Sequence, residues 1–592
     1  MTRVHEDIIE ANLENRLIGF EKNQSPFEEE ARHIAIPICH VFRKKDGIGA
    51  ASFERGNSLL PIHSPHLLSK TFPTLSHNQK GFILEPRPGL KAIQGKRVAV
   101  LFSGGPAPGG HNVLAGIKDV LGKQNTLLGV RMGPKGLLTG NLFEISESDI
   151  DSIRNMGGFD FLGTDRTKIK SQSQFDHVKD CVQRHHLNAI IIIGGDDSNT
   201  NAAFLAESLV SENCAVIGVP KTIDGDLQIG SHLPISFGFD TATKIYSEMV
   251  GNILKDSPSS KKYWHFIKLM GRNASHVTLE VALQTRPTLA FISEEVAEKN
   301  QSLHDIVNYI AEVIAYRAGK GLKYGTVVIP EGLIEFIPEF KLLIAELNEK
   351  LGQYKTELIA IPSSKMETFL LPKLTYHTAD ILRSLPSSIK EKLIQDRDSH
   401  GNLQVSHIPT EKLLMEMAQN RLRELKHSPI PIIKTQEFHL TEEEWKTFQS
   451  YKFIPLSHFF GYEGRCGAPS RFDSAYAYNL GLTAGSLALN GQTGYMASVS
   501  NFENGGKPLA IPLTALMNEE KRDGIDTLVI KKALVKLQSP AFHFFAKRRE
   551  EWAKQDNFTS PGPIQMWGPL SHQVPYTVAL NQHFKGLDFC FE

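Results

Sequence analysis

Gly194-Gly195-Asp196-Asp197-Ser198 and Pro220-Lys221-Thr222-Ile223-Asp224-Gly225-Asp226 each follow an apolar run that reads as a buried strand. Together they set four carboxylates and one lysine beside glycine-rich backbone. Carboxylate oxygens suit a hard divalent cation, and glycine backbone lets a phosphate approach, so the pair points to phosphoryl transfer. Adjacent carboxylates such as Asp196 and Asp197 are costly to keep charged after a buried strand unless Mg²⁺ or helix N–H groups compensate. Helix capping by Asp197 or Ser198 is the plainer reading, and it accounts for one acid rather than two. In the second stretch, a carboxylate within reach of a substrate hydroxyl can take its proton during attack on phosphorus. Lys221 is a compact charge suited to terminal phosphate oxygens. A surface turn with an ordinary ion pair is the alternative.

A third loop, Ser103-Gly104-Gly105-Pro106-Ala107-Pro108-Gly109-Gly110, runs from a strand into the helix-like Val113-Leu114-Ala115-Gly116-Ile117. Its glycines and the following helix N-terminus suit an anion, but it lacks the lysine of a Walker A loop and the spacing of a dinucleotide fingerprint. By itself it also reads as a tight turn that binds nothing. Met270-Gly271-Arg272, Pro330-Glu331-Gly332 and Gly461-Tyr462-Glu463-Gly464-Arg465 follow further strand-like runs. Arginines at strand ends suit a phosphomonoester, and a glutamate suits sugar hydroxyls. Each of these is individually also readable as a surface salt bridge.

Elements that could position these loops are legible in the hydrophobic pattern. Short apolar runs at 97–102, 189–193, 215–219, 266–269 and 326–329 alternate with helix-like segments such as Leu303, Ile306, Val307, Ile310, Val313 and Ile314, closed by Gly319. That alternation predicts an α/β fold with a parallel sheet covered on both faces. Residues before about 95 are polar and irregular and read as an extension packed on a domain surface. From about 335 to 450 the pattern is that of charged amphipathic helices interrupted by the turn signal Asp398-Ser399-His400-Gly401-Asn402.

Composition removes several function classes. The chain has 592 residues, 41% of them hydrophobic, and its 65 Lys and Arg balance 65 Asp and Glu. Nothing in that balance asks for nucleic acid or an anionic membrane. Met1 to Glu10 carries charges of both signs, and no run reaches the roughly 18 apolar residues of a membrane span, so a soluble cytoplasmic protein is expected. The five cysteines, Cys39, Cys181, Cys214, Cys466 and Cys590, form no CxxC pair and read as reduced thiols.

Taken in order, GGPAPGGHN, GGDDSNTNAA, PKTIDGDL, MGRNASHVTLE, IPEG and GYEGRCGAP resemble the phosphofructokinase superfamily, and more narrowly its long, pyrophosphate-dependent branch. The resemblance implies two Rossmann-like parallel-sheet domains with an N-terminal extension and a helical insertion. Its implied organisation is an extension at 1–95, a phosphoryl-donor domain at 96–240, a fructose 6-phosphate domain at 241–335 and 455–592, and the insertion at 336–454. The implied reaction is reversible, Mg²⁺-dependent transfer from pyrophosphate to the 1-hydroxyl of fructose 6-phosphate. An ATP-dependent enzyme and a non-catalytic regulatory subunit are the alternatives.

Residue by residue, the resemblance makes Asp224 the general base, with Asp226 beside it, and gives Asp196 to the metal. Gly104, Gly105, Ser198 and Lys221 fall on the donor side. Thr222, Ile223, Arg166, Met270, Gly271, Arg272, Glu331, Tyr462, Glu463, Gly464 and Arg465 fall on the sugar-phosphate side. Lys262 and Tyr263 fall where the family reaches into a neighbouring subunit, which implies a homodimer or higher oligomer. Asp197 stands where ATP users usually carry glycine, and its bulk and charge disfavour a nucleotide α-phosphate. Lys221 adds charge for a donor that lacks a nucleoside anchor.

Overall fold

Strands Arg97–Ser103, Ala189–Gly194 and Ala215–Pro220 bury nearly every side chain, as strands do when helices cover both faces of a sheet. In this computed structural model, which describes residues 26–45, 47–90, 93–354, 357–358, 360–395, 408–427, 438–522, 525–562 and 574–582, they form the centre of a 10-stranded sheet. The register sets Ser103 opposite Gly194, and Gly194 opposite Pro220. The three acidic or glycine-rich loops therefore leave the sheet side by side, at the carboxyl ends of parallel strands where α/β folds bind ligands. The expected turn at 398–402, Cys590 and the stretch 1–10 lie outside the described residues.

The second sheet has four strands, Leu289–Ala290, Gly325–Pro330, Trp264–Leu269 and Pro455–Phe460, all parallel. Leu269 lies opposite both Pro330 and Phe460, so the loops carrying Met270 to Arg272, Glu331 and Tyr462 to Arg465 also emerge at one level. Helix Phe239–Ser260 joins the two halves, leaving the loop after Lys221 and ending just before Trp264. The α/β architecture with two parallel-strand sheets is the one the sequence predicts.

The observed sheets divide the chain differently from the expected boundaries. Tyr495–Ser500, assigned above to the second domain, pairs in parallel with Ala215–Pro220 in the large sheet, and Lys507–Pro512 follows it antiparallel. Without them the strand at 215–220 would present an unpaired apolar edge. Ser52–Leu59 and Phe82–Arg87 continue the same sheet through Lys507–Pro512, so this part of the N-terminal extension supplies strands as well as surface cover. The half-exposed, weakly alternating side chains of Ser52–Leu59 explain why they gave no clear period.

Helix Arg471–Leu489 leads back from the second half by packing directly on helix Gly110–Leu121. A Cβ on Gly116 would sit 2.1 Å from the Tyr478 carbonyl oxygen, so glycine sets that close approach. The stretch after 335 is helical as expected, with Pro338–Gln353, Ser363–Leu370, Tyr376–Ser384, Ser387–Gln395, Thr410–His427 and Glu442–Ser450. Leu343, Leu347, Leu413 and Leu414 on these helices share one core with Ile310 and Ile314 of helix Leu303–Gly319.

Candidate active site

Lys221 stands at the meeting point of the three loops of the large sheet. Its Nζ donates to the Gly105 carbonyl at 2.8 Å, and its side chain is buried. Gly104 takes φ of +89°, and its Cα turns toward Lys221 Nζ and Ser198 Oγ, each 3.8 Å from where a Cβ would stand. Ser198 Oγ in turn donates to Ser103 Oγ at 2.8 Å. Neither Asp197 nor Ser198 caps helix Asp196–Ser208, so the capping alternative is not what is observed. The buried Asn199 shapes this turn instead, its Nδ2 donating to the carbonyls of Gly194 and Gly195 at 2.7 and 2.9 Å.

Asp196, Asp224 and Asp226 all act electrostatically on Lys221. Burial pulls its ammonium down to about 8, while the charges of Asp224, Asp196 and Asp226 oppose that loss. Asp226 is nearly inaccessible, and burial pushes its carboxyl up to about 7, reinforced by Asp224 and Asp196 and opposed by Lys532. Gly225, at φ +72°, turns the chain between the two acids where a Cβ would lie 2.8 Å from the Phe239 ring. Three carboxylates thus share one recess with the Lys221 and Lys532 ammoniums, and their oxygens are ligands of the kind a hard cation takes.

Arginines collect on the other side of the loop. A Cβ on Gly105 would sit 3.0 Å from Arg465 Nη2 and 3.7 Å from Arg166 Nη2. Arg166 is brought there by the short strand Thr164–Asp165, whose Asp165 carbonyl accepts from Gly104 N at 3.0 Å. Burial, then the charges of Arg272 and Arg465, lower the proton affinity of Arg166. Three guanidinium groups facing one another call for an anion. Glu331 is buried beside them, accepting from Gly271 N at 2.9 Å through Oε2, while its Oε1 has no hydrogen-bond partner among the described residues. That oxygen is buried, and burial pushes the Glu331 carboxyl up.

The sequence of the catalytic core is matched by relatives of stated activity. The family described as Phosphofructokinase matches residues 97–364. The pyrophosphate–fructose 6-phosphate 1-phosphotransferase of Treponema pallidum (strain Nichols) is 47% identical over 80% of this chain and 81% of its own length. That of Entamoeba histolytica is 44% identical over 82% of this chain and 87% of its own, and the beta subunit of the Ricinus communis enzyme is 44% identical over 87% and 90%. The chain belongs to the phosphofructokinase family.

Within this phosphofructokinase, not every expected residue joins the cluster. Asp197 is half-exposed and bonded to Lys168, whose Nζ lies 2.9 Å from Asp197 Oδ1. Ile223 packs its side chain into the hydrophobic core, leaving only backbone for a ligand. Lys262 and Tyr263 precede strand Trp264–Leu269, whereas Met270 to Arg272 follow it, about 20 Å away along six extended residues. They are thus remote from this chain's own cluster. Tyr462 is exposed beneath the Arg465 guanidinium, 5.1 Å above its ring, and Glu463 Oε2 accepts from Gly461 N at 2.8 Å.

Three further residues shape the site without a motif of their own. Tyr246, fully buried on helix Phe239–Ser260, donates from its hydroxyl to the Gly461 carbonyl at 2.5 Å, and its ring fills the space a Cβ on Gly464 would need. Phe159 lies under the Lys221 ammonium at 5.9 Å. Lys532 Nζ stands 3.6 Å from Asp196 Oδ2.

Proposed function

We propose that this chain transfers a phosphoryl group reversibly between pyrophosphate and the 1-hydroxyl of fructose 6-phosphate, giving fructose 1,6-bisphosphate and phosphate. The observation that carries the reading is Lys221, buried between the Gly105 carbonyl and three carboxylates at the junction of donor and acceptor loops. The names of the relatives agree with it. The residues present fit Mg²⁺, with Asp196 and Asp226 offering oxygen ligands in a recess of surplus negative charge. Mg²⁺ typically keeps one or two carboxylates and completes its shell with phosphate and water, and when bound it would neutralise charge on the donor.

On this reading Asp224 takes the proton of the sugar 1-hydroxyl as its oxygen attacks the terminal phosphorus of pyrophosphate. The new P–O bond forms, the bridging P–O bond breaks, and phosphate departs with the bond's electron pair. Protonated Asp224 returns the proton in the reverse direction. Lys221 and the Gly104 to Gly105 backbone orient the donor, and Arg166, Arg272 and Arg465 hold the 6-phosphate so that the 1-hydroxyl is presented in line. Glu331 accepts from a sugar hydroxyl. The loose transition state places little demand on covalent chemistry and much on positioning.

Asp197 sets the donor by filling space at the entrance of the first loop. Its negative charge is met by Lys168, so bulk weighs more than repulsion in excluding a nucleotide. Lys262 and Tyr263 serve the site of a second copy in a homodimer or larger assembly. No described helix is long and apolar enough to cross a membrane, and we place the enzyme in the cytoplasm, where its described cysteines remain free thiols. The test is incubation of the purified chain with fructose 6-phosphate and Mg²⁺, supplying pyrophosphate or ATP in turn. Fructose 1,6-bisphosphate should form with pyrophosphate. Formation with ATP alone would replace the donor, and formation with neither would leave a regulatory subunit.

A further inference from the structure

The segment after the hairpin Met517–Arg522 and Ile525–Ile530 crosses directly over the acidic recess. Ile530 N donates to Thr200 Oγ1 at 3.0 Å, one helical turn beyond Asp196. Ala533 N donates to the Asp226 carbonyl at 2.7 Å, and the Ala533 carbonyl accepts from His276 Nε2 at 2.9 Å. Val535 N donates to the buried Glu294 Oε1 at 2.9 Å. The backbone is therefore tied to the donor helix on one side and to the second half of the molecule on the other. Lys532 lies in the middle of this strap, its side chain about a third exposed and its ammonium 3.6 Å from Asp196 Oδ2. Its charge also reaches Asp226 and Glu335.

We propose that Lys532 is a second donor-binding cation, contributed by the C-terminal strap, which contacts the phosphate oxygens of pyrophosphate. The inference rests on the function proposed above. A carboxylate shared by an ammonium and a divalent cation is an unfavourable arrangement, because the two positive charges repel at short range. With the metal on Asp196 and Asp226, and with burial pushing the Glu335 carboxyl up toward its neutral form, the ammonium turns to an incoming anion, which its exposure and flexible stem allow from a fixed backbone. Pyrophosphate brings more negative charge than Lys221 alone offsets, and Lys168 is already engaged by Asp197. The donor oxygens are thus the partner that charge balance selects for Lys532.

The experiment compares the unmodified enzyme with Lys532→Met and Lys532→Arg in steady-state assays and in calorimetric titration with methylenediphosphonate and Mg²⁺. Lys532→Met should raise KM for pyrophosphate, and for phosphate in the reverse direction, by about tenfold or more, the order expected for one charge-assisted contact. KM for fructose 6-phosphate should change less than about twofold, methylenediphosphonate should bind correspondingly more weakly, and Lys532→Arg should restore most of the loss. An unchanged KM for pyrophosphate with a lowered thermal midpoint would overturn the proposal in favour of a purely structural ion pair. Tighter Mg²⁺ binding with unchanged methylenediphosphonate affinity would overturn it in favour of a cation that merely occupies the metal's place. Absence of pyrophosphate turnover in the unmodified enzyme would overturn the donor assignment and this proposal together.

Discussion

Lys168 Nζ and Asp197 Oδ1 are 2.9 Å apart at the entrance to the donor loop, joining two surface positions 29 residues apart in the chain. The acid to which we attribute donor choice is thereby held in place by a cation that it also neutralises. Replacing Asp197 with glycine opens space and at the same time frees Lys168 for an incoming anion. Asp197→Gly should therefore shift the ratio of ATP to pyrophosphate kcat/KM toward ATP by about tenfold or more. Adding Lys168→Met should take back part of that gain. Parallel steady-state measurements with both donors decide it, and an unshifted ratio would remove Asp197 from donor choice.

Asp224→Ala should lower kcat by about 10²–10⁴-fold, the range typical of a lost general base, in both directions of the reaction. The thermal midpoint should stay within a few degrees of the unmodified protein. A variant that keeps a near-normal rate would assign the proton to another group.

Lys221 and Asp226 give the pH profile two limbs. Lys221, drawn down to about 8, loses its charge as pH rises through that value, and pyrophosphate affinity should fall with it. Lys221→Met should abolish this basic limb and raise KM for pyrophosphate at neutral pH. In metal-free protein the Asp226 carboxyl protonates below about 7, so addition of metal should release protons between the ordinary carboxylate range and that value. Proton release on Mg²⁺ titration, absent in Asp226→Asn, is the measurement.

Asp226 also bears on stability, with a sign that follows from its raised proton affinity. The folded protein holds this proton more tightly than the unfolded chain, so its contribution to stability is complete at low pH and is lost as pH rises through about 7. Asp226→Asn should accordingly raise the thermal midpoint at pH 8 relative to the unmodified protein while lowering turnover, and the difference should narrow at pH 5. Scanning calorimetry at the two pH values tests it. A lower midpoint at pH 8 would mean that Lys221 and Lys532 depend on the charge more than burial penalises it.

Tyr246→Phe removes one buried hydrogen bond to the Gly461 carbonyl and keeps the ring against Gly464. The expected cost is about 1 kcal/mol of stability, with KM for fructose 6-phosphate raised about threefold to tenfold because Arg465 loses its fixed support. KM for pyrophosphate should hold, and that split separates positioning from general destabilisation.

Much of this site was legible because its loops follow strands that are apolar throughout. Burial on both faces gives Ala189–Gly194 and Ala215–Pro220 an unmistakable pattern, and parallel register does the rest by setting Gly194 beside Pro220. Edge strands carried no such signal. Ser52–Leu59 alternates weakly and exposes much of its surface, so its pairing depends on a partner, Phe82–Arg87, and a sheet that the local sequence does not announce. Tyr495–Ser500, its apolar run broken by Ser498 and Ser500, is not among the strand-like runs, and which sheet it enters is decided by the open edge of Ala215–Pro220, far away in the chain. Lys532 was hidden for a related reason. A single lysine in an irregular segment acquires meaning only when Ala533 is tied to Asp226.

The facing guanidinium groups of Arg166, Arg272 and Arg465 have a consequence for the protein at rest. Their mutual repulsion is a cost carried by the folded chain alone, since the unfolded chain lets them drift apart. An oxyanion that settles among them relieves this cost and gains binding energy as well, so the empty protein should be the more heat-labile and protease-sensitive form. Sulfate or phosphate in a storage buffer would then act as a chaperone of the native state, and its removal by dialysis would be felt as lost shelf life before any assay was run.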